Sequence, residues 1–224
     1  MAREGKVIAI MKGAIASDEL LSAVIDSKTG LRTERRSSHV YIFSAPDYHK
    51  LLLVTDAALN VEPDLADKRD IVQNAIDLAH AIGIACPKVA ILSAVEKVKP
   101  QLQSTVDAAA LCKMADRKQI TGAILDGPLA FDNAISPEAL AQKGIDSPVA
   151  GDADILVVPD LISGNILAKQ LSFLGHASSA GVVMGVRTPV ALTSRAEGVA
   201  SRVVSAAVAI LVAIQRKPLA KIPE

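Results

Sequence analysis

Short apolar runs recur along the chain, separated by longer stretches in which apolar residues return every three or four positions. The runs are KVIAI (6–10), HVYIF (39–43), LLLVT (51–55), KVAIL (88–92), GAIL (122–125), ADILVV (153–158) and PVALT (189–193). Strand-like runs alternating with helical patterns predict a mainly parallel sheet with helices on its faces. In DKRDIVQNAIDLAHAIG (67–83), Ile71, Ala75, Leu78 and Ile82 share one helical face, and Gly83 stands where a C-terminal cap is expected. In SPEAL (136–140), Ser136 is placed to cap, Pro137 fits the first helical position and Glu138 faces the positive end of the helix dipole. Only seven residues, SAPDYHK, link HVYIF to LLLVT. That is too short for a parallel crossover, so these two strands are expected to pair antiparallel and make the sheet mixed.

The longest apolar stretch, VVSAAVAILVAI (203–214), is shorter than the roughly 20 residues that cross a bilayer. Val203, Val204, Val208, Ile210, Leu211, Val212 and Ile214 surround most of its circumference, which predicts a helix buried on all sides. The first residues carry only a five-residue apolar run before Lys12, which does not read as a signal peptide.

Half of the 224 residues are apolar, enough for one large folded domain or two small ones. Lysine plus arginine equals aspartate plus glutamate at 24 each, which removes the basic footprint of a nucleic-acid binder. The aromatic residues Tyr41, Phe43, Tyr48, Phe131 and Phe173 are too scattered for a base-stacking platform. Cys86 and Cys112 lie outside any C-x-x-C pattern, and His39, His49, His80 and His176 show no ligand spacing. Neither a metal site nor a disulfide framework is expected, and a reducing, cytoplasmic setting follows.

Ligands of such sheets bind where strands end and helices begin, because exposed N–H groups and the helix dipole attract anions there. Three junctions carry polar groups at such places: Lys12 and Gly13 before a capping Ser17; Asp160, Ser163, Gly164 and Asn165; and Thr193, Ser194 and Arg195. Together they predict a site for phosphate or another small dianion. No P-loop and no G-x-G-x-x-G follows a strand, so nucleotide and dinucleotide fingerprints are not offered.

The segments MKG (11–13), GLRTERRSSHVYIF (30–43), LLLVTDAALNVEPDLADKRDIVQNAIDLA (51–79), GAILDGPLAFDNAIS (122–136), DADILVVPDLISGNILAKQL (152–171) and PVALTSRAEG (189–198) resemble, in order, those of the phosphate acetyl/butyryltransferase family. The likeness is nearer to the butyryl branch and to the transferase part of bifunctional hydratase/phosphotransacetylase proteins. It implies transfer of a short acyl group between coenzyme A and inorganic phosphate, with both as substrates and no permanently bound cofactor. It implies a two-domain, isocitrate-dehydrogenase-like α/β fold, a homodimer, and no metal, nucleic acid or membrane partner. Residues 1–37 and 188–224 would form the first domain and residues 38–187 the second, with hinges at the basic cluster 32–38 and at 185–189. Family members carry further strands before MKG, so the first domain is expected to be incomplete.

The resemblance also assigns roles. Ser194 and Arg195 would hold phosphate, Asn165 or backbone N–H groups would receive the thioester oxygen, and Glu197 would be the base for the thiol. Acetate-type members have an acidic residue where this chain has Ser201, and Glu197 matches an acidic position of the butyryl branch. Lys12, Gly13, Arg36, Asp160, Gly164 and Thr193 would bind substrate. Two other readings compete. One is a metal- and nicotinamide-dependent decarboxylating dehydrogenase, which would need Asp152, Asp154 and Asp160 as a cluster; the other is a non-catalytic dimerising fragment.

Overall fold

The computed structural model describes residues 1–194 and 197–215. In chain order the elements are β1 (Ile10–Met11), α1 (Ser17–Ile25), β2 (Ser38–Ser44), β3 (Leu52–Thr55), α2 (Leu65–Ala81), β4 (Lys88–Leu92), α3 (Gln103–Asp116), β5 (Ile124–Leu129), α4 (Phe131–Ile135), α5 (Pro137–Lys143), β6 (Ile155–Val157), α6 (Leu161–Phe173), β7 (Ser178–Met184), β8 (Val190–Ala191) and α7 (Val199–Gln215). The strands form one mixed sheet ordered β1-β8-β7-β2-β3-β6-β4-β5. β3, β6, β4 and β5 run parallel, as do β1 and β8. β7 is antiparallel to both neighbours, and β2 and β3 pair antiparallel with Val40 opposite Thr55, as the short link predicts.

Strand alternation divides the core into layers. Val40, Ile42, Leu53, Ile155, Ala180 and Val182 face α2, α3 and α7. Phe43, Val54, Ala90 and Leu156 face Ala134 of α4 and Ala168 of α6. Val183, Val190 and Leu192 pack with Val24 of α1. The result is a sheet covered by helices on both faces, with α1 and α6 on the same side.

Local signals in the sequence account for several boundaries. Gly83 has φ +96°, a conformation that glycine adopts without strain, and donates its N–H to the His80 carbonyl at the end of α2. Ser136 accepts from the Ala139 N–H, with Pro137 at the start of α5. Inside the α2–α3 layer, Lys68 and Asp107 form a buried ion pair at 2.6 Å.

The structure departs from the sequence expectations at five places. β1 covers only residues 10–11 rather than 6–10, and β5 extends on to Leu129. β7 lies in the middle of the sheet, although SSAGVVM had no strand reading; its first residues are small and poor strand formers. Ser17 is not a cap: Ala16 occupies the N-cap position and no side chain bonds the end of α1. Finally, α7 is not buried all round. Ser205, Val208, Ala209 and Val212 meet the sheet, while Val199, Val203 and Ile214 are 75%, 62% and 70% exposed, because only one face of an outer helix reaches the sheet. Among the described residues no helix is long and apolar enough to cross a membrane.

Candidate functional site

Between α1 and α6, on the face that bears Tyr41 and Leu192, the structure opens a cleft of about 510 Å³. α6 contributes Leu161, Asn165, Ala168, Lys169 and Ser172, which recur at helical spacing and form one stripe along the cleft. Asp160 sets the start of that helix, its carboxylate accepting from the Ser163 N–H at 2.8 Å. Gly164 lets the helix approach the chain after β3: a Cβ there would stand 2.7 Å from Val158 Cγ2 and 2.9 Å from the Asp56 carbonyl oxygen. Asn165, the next residue, donates Nδ2–H to the Ala57 carbonyl at 3.2 Å.

The opposite wall is the segment that leaves β8. Leu192, Thr193, Ser194 and Glu197 all line the cleft. Glu197 is half-buried; Oε2 accepts the Ser194 N–H at 3.0 Å and Oε1 accepts the Ser179 hydroxyl at 3.1 Å. Ser194 and Glu197 thus stand three apart, with the carboxylate folded back on the serine N–H as in the return half of a capping box. Burial raises the Glu197 pKa above the usual carboxylate value, opposed by the hydrogen bonds from Ser179 and Ser194. A carboxylate has about four acceptor positions, so two donors leave Glu197 able to take a proton from a substrate group.

Beneath this wall His39 is wholly buried, with Nε2 3.0 Å from the Leu192 carbonyl. A carbonyl only accepts, so Nε2 carries the proton and Nδ1, which has no partner among the described residues, is the unprotonated nitrogen. Burial lowers the His39 pKa and keeps the ring neutral. The ring packs edge-on against Tyr41, centroids 4.4 Å apart, and Tyr41 lines the cleft with its pKa pushed up to about 12 by burial.

A second cavity of about 860 Å³ shares Ser17, Leu21 and Ala58 with the first and continues past Arg32, Arg35 and Arg36. The structure therefore brings Asn165, Thr193, Ser194 and Glu197 to one cleft and Arg36 to its extension. Asp160 and Gly164 support α6 from behind. Lys12 stands apart: it is buried, with Nζ donating to the Ile15 carbonyl at 3.2 Å. Gly13 is exposed at the same turn with open space around it. Arg195 lies outside the described residues. Tyr41, Lys169 and Ser179 were not among the site residues expected from sequence. For Ser179 the missing signal is β7 itself, since its partner Glu197 is brought close by the β7–β8 register.

Asp152 and Asp154 are committed elsewhere. Lys50 reaches Asp152 at 2.9 Å and Asp154 at 2.8 Å, Lys88 reaches Asp152 at 2.8 Å, and these lysines hold the Asp152 carboxyl well below its usual range. With Asp160 capping α6, the acidic cluster required by the dehydrogenase reading is not assembled, and among the described residues no group of three or more His, Cys, Asp or Glu could hold a metal ion.

The phosphate acetyl/butaryl transferase family model matches residues 1–210. The chain is 60% identical to a phosphate acetyltransferase of Rhizobium meliloti over 96% of its length and 68% of the relative's. It is 44% identical to the phosphate butyryltransferase of Clostridium acetobutylicum over 93% of its length and 69% of the relative's. Among solved structures, a branched-chain phosphotransacylase from Enterococcus faecalis superimposes with a TM-score of 0.84 at 37% identity, covering 93% of this chain and 75% of the other. The chain spans 60–69% of the length of the curated relatives it matches. A match over nearly all of its residues, with the same α/β architecture, makes the chain a member of the phosphate acetyl/butaryl transferase family.

Proposed function

We propose that the chain transfers a short acyl group between coenzyme A and inorganic phosphate, in the cleft between α6 and the β8–α7 segment. The observation that carries this reading is Glu197, a half-buried carboxylate of raised pKa on the cleft wall, held by Ser179 and Ser194 yet with acceptor positions to spare. In the direction that uses acyl phosphate and coenzyme A, Glu197 takes the thiol proton as sulfur attacks the acyl carbonyl and phosphate leaves. In the other direction phosphate attacks the thioester and Glu197 returns the proton to the departing thiolate. Ser194 and Arg195 bind phosphate at the β8–α7 junction, with Thr193 beside them. Asn165 stands at the acyl carbonyl, and Arg36 in the adjoining cavity receives phosphate groups of coenzyme A. Lys12 and Gly13 support the α1 wall, Asp160 and Gly164 the α6 wall. Much of the acceleration then comes from holding two reactants together in one cleft.

Coenzyme A and phosphate are substrates on this reading, and no cofactor is held permanently. Residues 1–37 and 188–224 form one part of an isocitrate-dehydrogenase-like pair and residues 38–187 the other, a division favoured by the mutual pairing of β1 and β8. The apolar outer face of α7 favours a homodimer, and the two free cysteines favour a cytoplasmic location. The test is coenzyme A release from acetyl-CoA and butyryl-CoA with and without phosphate. Phosphate-dependent release that is lost in Ser194→Ala and Arg195→Ala is expected. Absence of release from both thioesters would overturn the proposal.

A further inference from the structure

Arg32, Arg35 and Arg36 face the same cavity, but their partners differ. Arg35 is tied to the Asp77 carboxylate at 2.5 Å, and nearby Arg69 to Asp70 at 2.8 Å. Arg36 instead donates its Nε–H to a neutral group, the Oδ1 of Asn60, at 2.6 Å. Arg36 is also ion-paired with Asp67, whose Oδ1 stands 3.6 Å from the same nitrogen, too long for a hydrogen bond. The Arg36 side chain is half exposed, so its two outer nitrogens are available as a fork for an anion.

Asn60 is itself fully determined. It is buried; one Nδ2 proton goes to Asp56 Oδ2 at 2.6 Å and the other to the Ser37 carbonyl at 2.9 Å. Turning the amide over would set its NH₂ against the guanidinium and its oxygen against the Asp56 carboxylate, so only one orientation satisfies its neighbours. Asp56, also buried, accepts in addition from the N–H groups of Ala58 at 3.0 Å, Leu59 at 3.1 Å and Asn60 at 3.3 Å. The negative charge needed to orient the amide therefore sits one residue removed from Arg36. Arg36 is thus held through a hydrogen bond to a neutral group, with its carboxylate neighbour Asp67 farther off. The same turn reaches the other half of the cleft, since Ala57 receives Asn165 and Ala58 lines both cavities.

We infer that Asn60 is a positioning residue, oriented by Asp56, that holds Arg36 by Nε and leaves its two outer nitrogens for the phosphate groups of coenzyme A. This rests on the reading of the cleft proposed above. A carboxylate at position 60 would hold the arginine as firmly but would add a second negative charge to that of Asp67 beside it.

The experiment is isothermal titration of the full chain with coenzyme A, which needs no turnover, on the wild type, Asn60→Ala, Arg36→Ala and the double variant. Asn60→Ala is expected to raise Kd about tenfold or more, the effect of losing one hydrogen bond to a charged group, with the number of sites per chain unchanged. The double variant is expected to bind no worse than Arg36→Ala, because Asn60 acts only through that side chain. Should Asn60→Ala not fold, Asn60→Ser, too short to reach Arg36, is read the same way. A loss confined to the number of binding-competent chains, or additive effects of the two substitutions, would show Asn60 to be merely structural and overturn the inference. An unchanged Kd in Arg36→Ala would instead remove Arg36 from the coenzyme A site, and absence of binding by the wild type would remove the cleft reading itself.

Discussion

Gly164→Ala tests whether the close approach of α6 to the chain after β3 builds the cleft. Alanine is favoured over glycine inside a helix by about 1 kcal/mol, so propensity alone predicts a more stable protein. Packing predicts the reverse. The new Cβ would lie 2.7 Å from Val158 Cγ2, 2.9 Å from the Asp56 carbonyl oxygen and 3.1 Å from Ala57 Cα. Two of these three are backbone atoms, pinned by the Asp56 carboxylate through the N–H groups of Ala58, Leu59 and Asn60. Overpacking of this kind costs about 1–3 kcal/mol, and a backbone that cannot retreat places it at the upper end. The net loss is about 2 kcal/mol, which for a chain of this length lowers Tm by about 4–8 °C. Differential scanning calorimetry measures the shift, with Gly198→Ala as control, since a Cβ there meets nothing within 4 Å. Because Asn165 follows Gly164 and is fixed to Ala57, coenzyme A release is also expected to fall at temperatures where both proteins are fully folded. A Tm equal to or above that of the wild type would refute the packing argument.

Asp107→Ala leaves Lys68 buried and unpaired and is expected to destabilise by about 3–5 kcal/mol in urea unfolding, with much of the loss recovered when Lys68→Met is added; no recovery would mean that the pair is not the cause. Glu197→Gln is expected to slow acyl phosphate consumption about 10²- to 10⁴-fold. In the wild type that rate should fall as pH drops through a pKa above the usual 4.5, and the variant should lack this limb; a limb kept in the variant would assign the base elsewhere. His39 stays neutral when folded but takes up a proton when unfolded, so its contribution to stability is complete above the ordinary value of 6.5 and is lost as pH falls through it. The buried Asp56 beside it has a raised pKa and works in the opposite sense at lower pH, its contribution declining as pH rises above 3.8. Melting curves of wild type and His39→Gln between pH 7.5 and 5.5 should therefore converge as the pH falls, and parallel curves would contradict this.

Features set by neighbouring residues were legible in the chain itself. The antiparallel β2–β3 pair follows from a link too short to cross over, and the ends of α2 and α5 follow from Gly83 and Ser136-Pro137. Thr193-Ser194 and Asn165 were expected as polar groups at helix starts; both line the cleft, although α7 begins only at Val199 and Asn165 is the fifth residue of α6. Other features depend on packing between distant segments. Lys12 carried the same local signal, yet it turns inward to Ile15, because composition at a helix start does not say which way a side chain points. Apolar periodicity marked 203–214 as a helix but could not say that only one of its faces meets the sheet. The strand β7 was invisible because Ser, Ala and Gly are weak strand formers, and its place between β2 and β8 is decided by pairing alone. That pairing sets Ser179 against Glu197, as the turn after β3 sets Asn60 against Arg36, 24 residues away. Sequence determines which groups are present and which local structures they start or stop. Tertiary structure decides which of them meet, and with that which side chains are held by charged partners and which by neutral ones, because burial and partners act through space rather than along the chain.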